Sequence, residues 1–401
     1  MPTILIFILI ILICLSLFIL LKINKIKLLG GSFLIIWILA LSTLIISNYQ
    51  IVNTYVTIFS LVILFFHFLF FSLGYILFPS NFNFEFLPKI NISGKNLYNI
   101  LLAITILGIT LLIYTIDLKK YIIENQVAIL RDDIFSQNIS VDKRYKMLAN
   151  FIYPLSIVSG IIFIKTKKTK YLLILLILSI IFSLLNGGKG SILIILSLFF
   201  SVILNNYSKL ESVFKKKIRK LIIFVFLIVL FYLGYITISR SLMSNSETDS
   251  LGIANEIISY FTFSIPAFSI WLKTFNWSWF NFDISQLSIV REVLNLSGFP
   301  IERTIDKVIV YIPEQFNVFT SFADSISAFG IVGSLIYYLL IGSSFKFLDY
   351  RTGVVMYPFL FSTFFLFSIY SLFTDIFFFM FGTYICLGFH FLFKINFENN
   401  K

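Results

Sequence analysis

Charge is what this sequence has least of. Of 401 residues only 12% are charged, about half the share of roughly 25% that a soluble domain carries. That excludes a soluble enzyme, a disordered chain and a nucleic-acid binder working through a basic surface. Cysteine is nearly absent too. The two present, Cys14 and Cys386, sit inside apolar runs, and no CxxC or Cys/His cluster exists, so neither a disulfide framework nor a cysteine metal site is expected. Histidine is limited to His67 and His390. Both fall within or at the end of apolar runs, which argues against a His-based triad or a His metal site on an exposed loop. A lone helical His such as His67 reads as a packed, hydrogen-bonded group.

What remains is apolar. Hydrophobic residues make up 59% of the chain and aromatics 18%, and the mean hydropathy is +0.98. A value near +1 over this length implies an all-α polytopic membrane protein, read as one integral membrane domain over 1–401. A helix needs roughly 20 apolar residues to cross the hydrocarbon. Eleven such runs are expected, at 3–21, 28–47, 55–78, 97–116, 148–164, 171–186, 190–205, 221–239, 323–345, 353–370 and 376–393. The first lacks a basic n-region and a small-residue cleavage site, so it reads as a span and not as a signal peptide.

Orientation follows from Lys and Arg in the connections. Those after odd-numbered runs hold Lys22, Lys25 and Lys27, then Lys89 and Lys95, then Lys165–Lys170, then Lys209–Lys220, then Lys346 and Arg351, with Lys394 and Lys401 in the tail. Together they carry 19 of the 31 cations and few acids, whereas the other side carries 12 and most of the acids. The expectation is an N-terminus outside and a C-terminus in the cytoplasm. Two outer loops are long, 117–147 and 240–322. A transporter keeps its polar work at the bilayer midplane, on broken helices. Here the ionisable groups cluster in the two outer loops, which points to chemistry at the outer face.

Within those loops Arg is conspicuous. The chain prefers Lys, yet five of its seven Arg (Arg131, Arg144, Arg240, Arg291 and Arg303) lie there. The planar guanidinium fork grips phosphate in a way a point charge does not; ordinary surface pairing is the competing reading. Residues 251–280 are apolar and hold Trp271, Trp277 and Trp279, either as an interfacial aromatic belt on a surface-lying helix or as sugar-stacking rings. The connection Asn186-Gly-Gly-Lys-Gly-Ser191 places Lys189 on a glycine turn that opens a helix, an arrangement that favours anions or serves as a plain tight turn with a snorkelling Lys.

Three of these features resemble the polysaccharide repeat-unit polymerases of the Wzy type, also called O-antigen polymerases. They are the turn Gly187-Gly-Lys-Gly-Ser-Ile-Leu-Ile194, the large late outer loop beginning at Arg240, and Glu314-Gln-Phe-Asn-Val-Phe-Thr-Ser-Phe-Ala-Asp-Ser-Ile-Ser-Ala-Phe-Gly-Ile-Val-Gly333 leading into the next run. The resemblance implies the architecture of the membrane-embedded lipid-linked-sugar glycosyltransferases. It also implies glycosyl transfer at the periplasmic face of a bacterial inner membrane, with undecaprenyl pyrophosphate as leaving group. On that reading Arg240, Arg291, Arg303, Glu314 and Asp324 are the catalytic candidates. Lys189, Arg240 and Arg291 would hold the pyrophosphate, and Arg131, Arg144, Asn317 and Trp277 would contact the glycan. The implied partners are undecaprenyl-pyrophosphate-linked glycans, membrane lipid and a chain-length regulator. No cofactor, metal or nucleic acid is expected. An O-antigen ligase and a lipid-linked oligosaccharide flippase or transporter are the alternatives.

Overall fold

The computed structural model describes residues 2–23, 27–47, 52, 54–79, 89–116, 143–186, 190–244, 251–274, 278–299, 301, 310–312, 314–316, 320–350 and 357–396. The chain is helical, with two small two-stranded pairings. Among the described residues seven helices are long and apolar enough to cross a membrane, and three shorter apolar helices accompany them. The chain is an all-α, polytopic membrane protein. Helix covers most of the described part of each apolar run, with a break at Gly330 inside 323–345 and another at Met380 inside 376–393.

The chain divides into two compact units. The first comprises 1–84, 255–352 and 364–381; the second comprises 85–254, 353–363 and 382–401.

In the first unit the helices are α1 (Pro2–Ile23), α2 (Leu28–Ser47), α3 (Ile58–Leu77), most of α10 (Leu251–Thr274), α11 (Ser288–Leu296), α12 (Ser321–Tyr350), the end of α13 (Pro358–Tyr370) and the single turn α14 (Ile376–Phe379). α3 and α12 run side by side because glycine lets their backbones touch. A Cβ added at Gly74 would strike the Leu339 carbonyl, and one at Gly342 would strike the Phe71 carbonyl. Small residues permit this approach in lipid, where packing rather than water release drives association. Ser343 Oγ bridges the contact to the Gly74 carbonyl at 3.3 Å. Around it, Phe33, Trp37, Phe68, Phe71, Phe322 and Tyr338 form one aromatic core.

The second unit comprises α4 (Gly94–Ile116), α5 (Lys143–Ala149), α6 (Ile152–Thr166), α7 (Lys170–Leu185), α8 (Gly190–Asn206), α9 (Ser212–Ser244), α15 (Phe381–Leu392) and two strands. The strands β1 (Ile90–Ser93) and β4 (Phe393–Asn396) pair in parallel, Asn91 opposite Lys394. Hydroxyls inside these helices turn back on their own backbone: Ser159 to the Leu155 carbonyl, Ser179 to Leu176 and Ser201 to Leu198. Internal satisfaction of this kind is what hydrocarbon requires.

Within each unit, segments meet in a consistent way. In the first, the Asp349 carboxylate accepts from the N–H groups of Leu29 and Gly30 at the start of α2 and from the Tyr75 hydroxyl. Lys27 and Lys346 both lie over the Tyr350 ring. In the second, Lys167 pairs with Glu211 at 2.8 Å. Each of these contacts joins connections that the Lys/Arg alternation assigns to one side. So does the β1–β4 pairing. At the other end of α3, Ser269 on α10 bonds Thr57 and Ser60.

Two features differ from the sequence reading. α9 continues as helix through Arg240 to Ser244, past the apolar run that ends at 239 and into the 240–322 segment. That segment also contains helix. α10 is buried from Thr262 to Leu272 apart from Phe263 and Ile270, and Trp271 is completely enclosed. The apolar run around Trp271 is therefore packed inside the helical body, whereas Trp279 is exposed and Trp277 lies outside the described residues. Ser264 and Ser269 are buried with it.

Candidate functional site

The site lies in the first unit, where α12 breaks. Gly330 has φ 71 and ψ 179, a conformation glycine adopts without the Cβ clash other residues meet. The break divides α12 into a half-helix, 321–329, and a long helix, 331–350. The half-helix folds back along the long one: the Ser321 hydroxyl meets the Tyr338 hydroxyl, and the Phe322 ring lies 4.6 Å from that of Tyr338.

A break inside an apolar body leaves backbone groups without partners. Here a distant segment supplies them. The N–H groups of Asn281 and Asp283 donate to the carbonyls of Phe329 and Ala328, which end the half-helix. The N–H groups of Ile331 and Val332, which open the long helix, donate to the carbonyls of Ser278 and Trp279. The segment 278–283 thus mends the break from both sides. No side chain is tolerated at the junction, because a Cβ on Gly330 would lie 2.8 Å from the Ser278 and Trp279 carbonyl oxygens.

Below the break sits a second irregular stretch, 371–375, between α13 and α14. Ser321 N–H donates to the Ser371 carbonyl at 2.8 Å, and Trp37 donates to the Ser371 hydroxyl at 3.0 Å. Asp324, in the first turn of the half-helix, accepts from the Asp375 N–H at 2.8 Å and from the Thr374 hydroxyl at 3.0 Å. Asp375 in turn caps α14 by accepting from the Phe377 N–H, and it accepts from the Tyr337 hydroxyl at 2.8 Å. Both carboxylates are buried. Carboxylates at helix starts are favoured by the exposed N–H groups there.

The other end of α14 is capped by α11. Ser288 donates to the Phe377 carbonyl and Arg291 to the Phe378 carbonyl, each at 3.0 Å. Arg291 also donates to the Gln286 carbonyl. A single helical turn is thus held between a carboxylate at its start and a guanidinium at its end, which suits its dipole. Nearby, His67 is enclosed, with Nδ1 2.8 Å from the Ile63 carbonyl and Nε2 2.8 Å from the Ser334 hydroxyl.

The sequence candidates fare unevenly. Asp324 and Arg291 both reach this site: Asp324 directly, Arg291 through α14. Arg291 is buried, and the bonds described go to backbone carbonyls, a structural use the sequence did not indicate. Arg144 lies on α5, exposed, in the second unit. Arg240 lies in α9 and Glu314 in β3 (Glu314–Phe316), which pairs antiparallel with β2 (Val310–Ile312); both residues are described at backbone level. Arg131, Lys189, Trp277, Arg303 and Asn317 lie outside the described residues. Asp375, Tyr337 and Gly330 are the members that sequence reasoning missed. Asp375 could have been found, since an acid in a five-residue connection between two apolar runs is anomalous.

Chemically, the arrangement offers two fixed carboxylates, several hydroxyls and a backbone junction held from both sides. Among the described residues no group of three His, Cys, Asp or Glu could hold a metal ion. Compared with family models, with curated proteins and with solved structures, the chain matches none.

Proposed function

We propose that the chain polymerises undecaprenyl-pyrophosphate-linked oligosaccharide repeat units at the periplasmic face of a bacterial inner membrane. Its eleven spans would run from a periplasmic N-terminus to a cytoplasmic C-terminus. The observation that carries the reading is Asp324. It belongs to the stretch that resembles the polymerases, and it is held by Thr374 and Asp375 beneath a broken helix.

In the reaction, the anomeric carbon–oxygen bond to the pyrophosphate breaks. A bond forms from that carbon to the non-reducing-end hydroxyl of another repeat unit, the hydroxyl proton passes to a base, and undecaprenyl pyrophosphate leaves. Asp324, its plane fixed by two donors, is assigned the proton; Glu314 is the other acid of the stretch. Charge developing on the leaving group calls for preorganised cations. Arg240 suits that role by depth. The 20 residues of continuous helix from Lys220 span about 30 Å at 1.5 Å per residue, the thickness of the hydrocarbon, so a Lys220 at one headgroup layer sets Arg240 at the other. Lys189 and Arg303 complete the proposed cationic set.

A second reading, a lipid-linked oligosaccharide transporter, is favoured by one observation. The interrupted α12 carries a buried carboxylate, a pairing found where transporters bind. Gene deletion separates the readings. Loss of polymerisation leaves single repeat units on the final acceptor, whereas loss of transport or ligation removes surface repeat units altogether. The second phenotype contradicts the polymerase reading.

A further inference from the structure

The segment from Ser278 to Phe299 is built inside out. Three of its polar side chains point inward: Gln286, Ser288 and Arg291 are buried, and each bonds within the first unit, while Ser278, Asn281 and Ser297 are exposed. Its apolar side chains point outward. Trp279 is 61% exposed, Phe280 73%, Phe282 80% and Phe299 66%, joined by Ile284, Val293 and Leu296. On α11 the buried residues 288 and 291 and the exposed residues 293 and 296 fall on opposite faces of the helix. A segment lying in water shows the reverse pattern.

Its height is fixed by the break it mends. The segment is bonded to Ile331 and Val332. From there α12 runs 18 residues to Asp349, about 27 Å at 1.5 Å per residue. Asp349 lies beside Lys27 and Lys346, the cations assigned to the cytoplasmic rim. The segment therefore sits close to one hydrocarbon thickness away, where aromatic side chains gather. Its apolar face also continues an existing one. One turn along α12 from the junction, Ile336 and then Leu340 are exposed on a membrane-crossing helix.

We propose that residues 278–299 form a lipid-embedded element, with Trp279, Phe280, Phe282, Val293, Leu296 and Phe299 seated among the acyl chains at the outer edge of the bilayer. The element is then the wall between the lipid and the Asp324–Asp375 site. This does not depend on which reaction the site performs.

The test uses the full chain reconstituted in lipid nanodiscs. Nitroxides are attached at single cysteines replacing Phe280, Phe282 or Leu296 in a Cys14→Ser, Cys386→Ala background, with Ile336→Cys as lipid control and Glu211→Cys as water control. Collision with dissolved oxygen should exceed collision with a water-soluble nickel chelate at all three positions, as at Ile336. Chelate collision equal to that at Glu211 overturns the proposal. So does dipolar broadening between labels on separate copies, which marks a self-association face, or shielding only after lipid-linked oligosaccharide is added, which marks a glycan platform. Where a cysteine variant fails to fold, the unsubstituted chain is read instead. Lipids brominated on the acyl chain should quench a Trp emission component that disappears in Trp279→Phe; its persistence without quenching contradicts the seating.

Discussion

The two units solve one problem differently. In the second, α6, α7 and α8 are uninterrupted, and Ser159, Ser179 and Ser201 bond back to the helix that carries them, as Ser72 does on the unbroken α3 of the first; Ser201 also reaches Ser362. In the first, α12 is broken at Gly330, and the groups it exposes are satisfied by residues about fifty positions earlier, at 278–283. An unbroken helix meets the demands of lipid locally and is replaceable turn by turn. A broken one meets them through distant chain, so its polar groups are fixed in number and place. Such a region can hold carboxylates such as Asp324 and Asp375 in position. The difference makes the first unit the one in which buried carboxylates are held by distant chain.

Mutations can break this contrast. The largest effect is expected where the first unit's backbones touch. Gly342→Ala drives a methyl into the Phe71 carbonyl oxygen, so two helix backbones must part, which costs more than ordinary overpacking, about 4 kcal/mol or more. Thermal unfolding in detergent should shift down strongly. Gly388→Ala in the second unit, with nothing within 4 Å of the added carbon, should be neutral or slightly stabilising. Equal shifts for the two would erase the contrast.

Next comes Asp375. Replacement by Ala removes the cap of α14 and strands the Tyr337 hydroxyl, together about 2–4 kcal/mol. Asp375→Asn keeps acceptors in place and should retain most of the stability, yet lose polymer if the carboxylate serves the reaction. Polymer length on gels, read at equal expression, decides. Gly330→Ala should follow, with about 1–3 kcal/mol of backbone strain and reduced activity, since the junction must shift.

Arg240 tests the cationic half of the account. If it grips a pyrophosphate, Arg240→Ala abolishes polymer without changing protein level. Arg240→Lys then restores only part of it, because a point charge cannot make the two-pronged contact. Wild-type polymer from Arg240→Ala removes that role. The smallest effect belongs to the exposed Lys167–Glu211 pair. Glu211→Gln should change stability by less than about 1 kcal/mol and leave activity untouched.

Much of the helical frame was readable in advance, because roughly 20 apolar residues in a row admit few structures in lipid. The site was less so. Asp324 was reached only through the stretch that resembles the polymerases. The break at Gly330 did not, since Phe329-Gly-Ile-Val-Gly333 reads as one more stretch of membrane helix, and the N–H and carbonyl groups that permit the break come from far along the chain. Residues 251–299 were misleading for a related reason. They fall in the segment read as a long outer loop, but Ser269, Gln286, Ser288 and Arg291 spend their polarity inward on backbone, hydroxyl and carboxylate partners. Sequence pattern reports polarity, and it does not report which side of a segment the polarity faces.

The most direct test of the central claim is reconstitution. The purified chain in nanodiscs is given undecaprenyl-pyrophosphate-linked repeat units, and the products are resolved by size. The account predicts a ladder of polymers with release of undecaprenyl pyrophosphate, and loss of that ladder in Asp324→Asn at unchanged unfolding temperature. A wild-type chain that yields no polymer, or an Asp324→Asn variant that yields the full ladder, would contradict it.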